Sequence, residues 1–324
     1  MGKQKESKFA HFMKRYQDGP KSLMRGKYIC AALFIAVPII HFFVFYIGQN
    51  YWSFYLAFTR FVGVGADGQD VYRGSFQNFV SVWEMVVSAD SSLFIALKNT
   101  GILFLIHSAQ LIFNFLIAYT FAKKLCGAKF FRVMLFLPTI ISGIVLSVAV
   151  KNMVSPDGPI SVLIRRAGGI GLPDFFHDDR MAYPALMVYC VWVGFYQSLL
   201  IMEGAIRRVP EEVLESGKLD GISNAFQELR LLIVPIMWDT ISTLIILTVC
   251  SLFTISAPIL LFTDGQYNTQ TLSFWFYAQV QYNGSTTNTL NVTAAVGLVV
   301  TAINLPIVYG TKWLLGKVTE SIEY

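Results

Sequence analysis

An all-α membrane protein with six transmembrane helices is the fold class that three observations predict. Hydrophobic residues make up 55% of the 324 residues and charged residues only 14%, against about 25% charged in an ordinary soluble domain. The mean hydropathy is +0.55. Six stretches are apolar over the roughly 20 residues that a helix needs to cross a bilayer. They run from about Tyr28 to Phe58, Leu93 to Ala122, Phe130 to Met153, Ala182 to Ile206, Leu231 to Phe262 and Leu290 to Leu315. The net charge of +5 is small for this length, so the placement of the charges carries more information than their sum.

The first 27 residues are basic and polar, and the apolar run behind them exceeds signal-peptide length without a small-residue cleavage site. It reads as a retained first span behind a basic tail, residues 1–27. Lys3, Lys5, Lys8, Lys14, Arg15, Lys21, Arg25 and Lys27 lie in that tail. Lys123, Lys124, Lys129 and Arg132 lie between spans two and three, and Arg207, Arg208, Lys218 and Arg230 between spans four and five. Lys312 and Lys317 follow span six. Eighteen of the 25 basic residues therefore fall on one side, which the positive-inside rule makes cytoplasmic. Both termini are expected inside.

The expected outer loops differ in kind. Residues 59–92 are rich in Gly, Asp and aromatics and hold a short amphipathic stretch, Phe76 to Val87. Residues 154–181 are rich in Pro and Gly, and residues 263–289 in Asn, Gln, Thr and Tyr without Lys or Arg. They read as an ordered rim, not as separate domains, leaving residues 28–324 as one membrane domain. Pro138, Pro235, Pro258 and Pro306 fall inside or at the ends of spans and invite kinks. The four cysteines are far apart, with no CxxC or Cys/His pairing, and read as free thiols without a metal site.

One loop carries more than topology. Between spans four and five, residues 207–235, Pro210 opens a short helix. Glu211 and Glu212 place negative charge at its positive end, and Gly221 supplies a stop. Val209, Val213, Leu214 and Gly217 fall near one face. Such a helix, apolar on one side and small at Gly217, suits a groove in another protein.

This loop resembles the "EAA" signature of permease subunits in binding-protein-dependent ABC importers. Glu215 matches the motif Glu, Leu219-Asp220-Gly221 the Asp-Gly element, and Leu232-Ile-Val-Pro235 its end. Ser216-Gly217 replaces the Ala-Ala pair, and the gap from Gly221 to Leu232 is one residue longer than in the family. Further elements are similar to the carbohydrate-uptake branch in order and spacing. They are Arg60-Phe-Val-Gly with Phe76-Gln-Asn-Phe, Lys98-Asn-Thr100, Phe131-Arg-Val-Met-Leu-Phe-Leu-Pro138, Trp192-Val-Gly194, and a degraded Thr263-Asp-Gly265.

The resemblance implies a type I importer permease architecture with a cytoplasmic coupling helix. Glu215, Ser216, Gly217, Leu219, Asp220 and Gly221 would couple the chain to an ATPase. It implies two ATPase subunits that bind ATP and magnesium, a second permease that in carbohydrate members is usually a different chain, an extracytoplasmic binding protein, and a bacterial inner-membrane location. The cargo would be a sugar, in the carbohydrate branch usually an oligosaccharide. No nucleic acid is implied.

The chain itself holds no Gly-x-x-x-x-Gly-Lys-Ser/Thr, so no P-loop is expected here. Gly63-Val-Gly65-Ala-Asp-Gly68 matches a dinucleotide fingerprint only literally, without a strand–turn–helix setting. Hydrolase motifs are absent as well, and no enzyme is expected. A pathway should be lined by polar and aromatic groups midway in spans four and five: Tyr189, Trp192, Gly194, Tyr196 and Gln197, then Thr248, Ser251 and Thr254. Aromatic faces stack on sugars, and amides and hydroxyls bond their hydroxyl groups. The same groups also serve helix packing in membranes. A non-sugar importer (of glycerol-phosphate, an amino acid or an anion) is the alternative, but an anion would ask for intramembrane Arg or Lys. A non-transporting scaffold is the third reading.

Overall fold

The computed structural model describes residues 21–65, 68, 70–123, 127–284 and 288–322, without the side chains of residues 21–27, 70, 196, 197 and 319–322. The expected cytoplasmic cations Lys3, Lys5, Lys8, Lys14, Arg15 and Lys124 therefore lie outside the described residues, as does Cys126.

Helix α1 (Lys21–His41) passes through a π-helical segment, Phe42–Ile47, into α2 (Gly48–Ala57). This is one continuous apolar helix, and its most apolar window is unburied within the chain. Strands β1 (Thr59–Val64) and β2 (Asp70–Gly74) form an antiparallel hairpin with a register shift between Phe61 and Gly63. The amphipathic stretch foreseen near Phe76 is α3 (Gln77–Val87), which buries Asn78 and Val82. Helix α4 (Ser92–Ala122) starts at a side-chain cap, with Ser91 accepting from the Phe94 N–H. A Ser cap satisfies one of the otherwise orphaned first-turn N–H groups.

The third predicted span is not one helix. Helices α5 (Ala128–Ile140) and α6 (Gly143–Met153) meet at 109° across Ile141 and Ser142. Pro138 lies inside α5, and Ile141 is extended with ψ 140°, which ends the helical hydrogen-bond ladder. After α7 (Pro159–Arg166), α8 (Ala182–Ile206) runs unbroken through the predicted fourth span. Helix α9 (Glu211–Leu219) follows, then α10 (Ala225–Glu228), a π-helical turn over Leu229–Ile233, and α11 (Val234–Ile236).

The fifth predicted span also departs from a single rod. The segment Ala225–Ile236 meets α12 (Trp238–Cys250) at 78°, just past Pro235, and α12 stops well short of Phe262. Residues 255–258 are irregular before the short α13 (Ile259–Phe262). Helix α14 (Leu272–Gln281) precedes α15 (Thr289–Ile322), which carries Pro306 without interruption. Among the described residues, four helices are therefore long and apolar enough to cross a membrane, and up to six if each bent pair is one span.

Helices α4 and α8 pack along each other at the centre, and α2 packs on α15. Three apolar clusters follow the α4 axis. One centres on Ala57, Leu93, Trp275 and Val296, the second on Leu103, Leu186, Tyr189 and Phe262, and the third on Ala118, Leu199, Met202 and Ile233. Lipid tails are as apolar as these side chains, so packing and hydrogen bonds must fix the helices.

Side-chain amides do much of this at the hairpin end. Asn78 donates to the Ala57 and Thr59 carbonyls at 2.9 and 2.8 Å, and Asn291 donates to those of Thr59 and Leu56 at 2.7 and 3.0 Å. Asn99 donates to the Asn268 and Gln270 carbonyls at 2.7 and 2.9 Å. Thr100 accepts from the Leu272 N–H at 2.8 Å. The Lys98-Asn-Thr100 element thus staples α4 to the loop before α14. In that loop Asp264, Tyr267 and Asn268 have positive φ. A Cβ at Gly265 would lie 2.2 Å from the Phe274 ring. The Tyr282 hydroxyl donates to Asp264 at 3.1 Å, a bond that raises the phenol's pKa.

Candidate functional site

Two places on the molecule concentrate chemistry: the α9 end of the bundle and a polar cavity midway along α4.

At the α9 end, Pro210 is the residue before the helix, extended at ψ 141°, with Glu211 and Glu212 in the first turn. The helix closes by a paired stop. The Ile222 N–H bonds the Gly217 carbonyl at 3.0 Å, and the Gly221 N–H bonds the Lys218 carbonyl at 3.2 Å. This is the six-to-one and five-to-two arrangement that needs a left-handed residue, and Gly221 supplies it at φ +96°.

The face turned outward is not the one the apolar pattern suggested. Gly217 is buried, and a Cβ there would come within 2.5 Å of Leu232 Cδ1. Val209 is buried too, and Val213 and Leu214 are half-buried. The apolar side of α9 therefore packs on its own chain. What it presents are Glu215, Ser216, Asp220 and Gly221, all exposed, and Leu219, 89% exposed. Phe226, at 70%, stands on the neighbouring α10.

Charges tie this end to the bundle. Glu203, 5% exposed at the end of α8, accepts from Arg132 of α5 and from Arg207 Nε at 3.0 Å. Lys123 lies 2.5 Å from Glu228. A cavity of about 500 Å³ between α9 and these residues is lined by Lys123, Arg207, Glu211, Leu214, Glu215 and Glu228, among others.

The second place is a cavity of about 340 Å³ between α4, α8 and α12. Three expected pathway residues line it: Gly194, Thr248 and Ser251. Four polar residues that line it were not foreseen: His107, Gln110, Asn114 and Ser198. The signal was present, because positions 107, 110 and 114 recur at three- and four-residue spacing on one face of an apolar helix. Gln110 and Asn114 are 4% and 1% exposed. Gln110 Nε2 donates to the Val191 carbonyl at 2.7 Å, and Asn114 Nδ2 donates to Ser198 Oγ. A Cβ at Gly194 would meet Gln110 Oε1 at 3.1 Å, so the bare glycine lets the two helices close around the amide.

The other expected residues divide. Tyr189 and Trp192 line a separate cavity of about 530 Å³ with Val150, Phe175, Phe176 and Arg180. The Tyr189 hydroxyl is 2.9 Å from Ser147 Oγ. Thr254 is exposed, past the end of α12, and lines neither cavity. Tyr196 and Gln197 lie within α8, but their side chains are outside the described residues.

The fold is one found in ABC importers. The chain superposes on one from a crystal structure of a bacterial ABC transporter involved in the import of the acidic polysaccharide alginate. The TM-score is 0.66 at 19% identity, covering 92% of this chain and 98% of that one. It matches the same kind of transporter in complex with an alginate pentasaccharide-bound periplasmic protein at TM-score 0.69 and 18% identity, covering 93% and 98%.

The sequence relatives are permease subunits of sugar transport systems. The maltose/maltodextrin transport system permease protein MalF of Vibrio vulnificus is 26% identical over 147 residues, 45% of this chain and 28% of that protein. The diacetylchitobiose uptake system permease protein NgcF of Streptomyces coelicolor is 26% identical over 227 residues, 65% of this chain and 61% of that protein. The multiple sugar-binding transport system permease protein MsmF of Streptococcus mutans is 22% identical over 247 residues, 74% of this chain and 80% of that protein. The match thus spans less than a third of MalF and under two thirds of NgcF. No protein-family model matches the chain.

Proposed function

We propose that the chain is the membrane-spanning permease subunit of an ABC importer and that its cargo is a sugar of the oligosaccharide class. It works in the bacterial cytoplasmic membrane as a multi-pass protein with both termini inside. A second, different permease completes the pathway, two ATPase subunits bind ATP and magnesium, and an extracytoplasmic binding protein delivers the sugar. The observation that carries this reading is α9. It is a short helix, stopped at Gly221 and directly following a long apolar helix, that projects Leu219 into solvent.

In mechanism, α9 is the contact through which ATPase closure is felt. Its inner face is locked to the chain by Gly217 against Leu232, so a push on Leu219 moves α9 as a rigid body. The Glu203 carboxylate joins α8 to α5 through Arg132 and to the start of the loop through Arg207. Motion at α9 is thereby transmitted to two membrane helices together, as a lever acting on a packed, bistable bundle.

Leu219→Glu tests this directly. Leu219 is exposed, so the change should leave the fold intact. It should lower ATP hydrolysis stimulated by the sugar-loaded binding protein at least about tenfold in the reconstituted complex, the equivalent of about 1.4 kcal/mol of docking energy. Unaltered stimulation would refute α9 as the coupling contact. Failure of an ATPase subunit to copurify with the wild-type chain would refute the importer reading as a whole.

A further inference from the structure

Helix α3 has three faces. One is buried, with Asn78 and with Val82, which packs against Ala57, Leu93, Ala96 and Val296. A second is polar and exposed, with Gln77, Glu84 and Ser88. The third is apolar and exposed. Phe76, Val80, Trp83 and Val87 recur there at four- and three-residue spacing, which sets them on one side, and each is more than half exposed. A helix apolar on two sides and polar along one edge suits a border where protein, lipid and water meet.

Its depth fits that border. Helix α3 packs against the end of α2 and the first two turns of α4 and α15. In α4 the exposed Lys98 precedes the C-cap Lys123 by 25 residues, about 37 Å along the axis. The hydrocarbon core is roughly 30 Å thick, so the turn before Lys98, where α3 packs, falls in the headgroup layer. Aromatic rings extend the band along the outer surface of α2. Trp52 and Tyr55 stack at 5.3 Å between centroids, Tyr55 meets Tyr72 at 6.3 Å, and Phe58 meets Phe76 at 5.7 Å. Trp and Tyr collect at membrane–water interfaces because each has an apolar body and a polar handle.

The hairpin adds charge at the same level. Arg60 of β1 stands directly opposite Arg73 of β2, and both are exposed. Residues so opposed share a face with Cβ atoms about 5 Å apart, and like charges there repel. Neither guanidinium takes part in an ion pair among the described residues. Asp67 and the Asp70 side chain lie outside those residues. Asp70 is three positions from Arg73, and strand alternation sets it on the other face. One carboxylate at Asp67 neutralises one charge at most, so a net cation remains. An oxyanion between the two guanidinium groups turns their repulsion into charge-assisted hydrogen bonds. In the headgroup layer the abundant oxyanion is the lipid phosphodiester. A zwitterionic headgroup brings an ammonium that meets the same two cations, whereas a glycerol headgroup brings only hydroxyl groups.

We infer that the hairpin and α3 form a binding site for an anionic phospholipid. Arg60 and Arg73 hold its phosphodiester, and Phe76, Val80, Trp83 and Val87 rest on the upper part of its acyl chains. Only the leaflet, the outer one, rests on the orientation proposed above.

The test uses the full chain with its copurifying subunits. In nanodiscs, Trp83 emission is read as the difference between wild type and Trp83→Phe. Lipid brominated near the headgroup end of its acyl chains should quench it more than lipid brominated near the chain terminus. In detergent, titration followed by native mass spectrometry should show the wild type binding phosphatidylglycerol more tightly than phosphatidylethanolamine. Arg60→Gln with Arg73→Gln should lower the apparent affinity for phosphatidylglycerol about 25-fold, at about fivefold per arginine, and leave that for phosphatidylethanolamine unchanged. Both side chains are exposed and the change removes a repulsion, so the fold should survive. Should the double variant not assemble, Arg73→Gln alone should show the fivefold step. Trp83 emission untouched by either brominated lipid would overturn the inference, and weaker capture of the binding protein by Trp83→Phe would then assign the face to that protein. Undiminished phosphatidylglycerol binding by the variants would overturn it as well. Neither readout uses transport or ATP hydrolysis, so both failures leave the importer reading standing.

Discussion

The two ends of the bundle are fastened by different chemistry. At the hairpin end, Asn78, Asn99 and Asn291, each no more than 5% exposed, bond backbone carbonyls of neighbouring loops and helices. At the α9 end, the joints are charges: Glu203 with Arg132 and Arg207, and Lys123 with Glu228. An uncharged amide bonded to backbone fixes one geometry and is indifferent to salt. An ion pair is longer-ranged and more tolerant of geometry, and it couples whichever elements carry the charges. The contrast suits a frame held still at one end and moved at the other.

The largest effect expected from breaking this comparison is at Glu203. Glu203→Ala leaves two guanidinium groups without their carboxylate. Breaking a buried pair costs about 3–5 kcal/mol, and partial exposure of Arg132 and Arg207 puts this case near the lower bound. Melting temperature in detergent should drop sharply, and a shift no larger than that of a surface substitution would dissolve the contrast. Asn99→Ala should come next. It strands the Asn268 and Gln270 carbonyls at about 1–3 kcal/mol, and loop-specific proteolysis between residues 263 and 271 should rise. Gly217→Ala forces Leu232 aside, at a cost of about 1 kcal/mol or a little more for a flexible side-chain end. Its signature should be a loss of coupling larger than the loss of stability. Smallest of all, Lys123→Ala should cost under about 1 kcal/mol, because the pair is partly exposed and screened by salt. Its effect should vanish at high ionic strength, whereas that of Asn99→Ala should not.

Much of this was legible in the sequence because it depends on local pattern. The apolar runs mark α1 with α2, α4, α8 and α15, and Pro210, Glu211, Glu212 and Gly221 mark both ends of α9. What was not legible depends on tertiary partners. An apolar face on α9 says that something is covered, not by what, and Leu232 and Ile222 of the same chain cover Gly217. The breaks at Ile141–Ser142 and Met237 lie close behind Pro138 and Pro235. Pro306 sits in an unbroken helix, so proline alone does not announce a break. The polar face of α4 was hidden by its surroundings. His107, Gln110 and Asn114 stand in a 31-residue helix that is mostly apolar, and a hydropathy window averages them away. Gly194 was readable as a small residue, but not as the surface against which Gln110 closes.

The buried carboxylate of Glu203 also has a consequence for how the chain is made. Arg132 is synthesised 71 residues before it, so α5 emerges from the ribosome with its cation unanswered. Until α8 arrives, that guanidinium must stay at the water-facing border of the bilayer, as long basic side chains at helix ends do. Helix α5 should therefore settle to its final depth only when α8 joins it. That makes the two helices a unit of membrane insertion, although α6, α7 and the connecting loop stand between them in the chain.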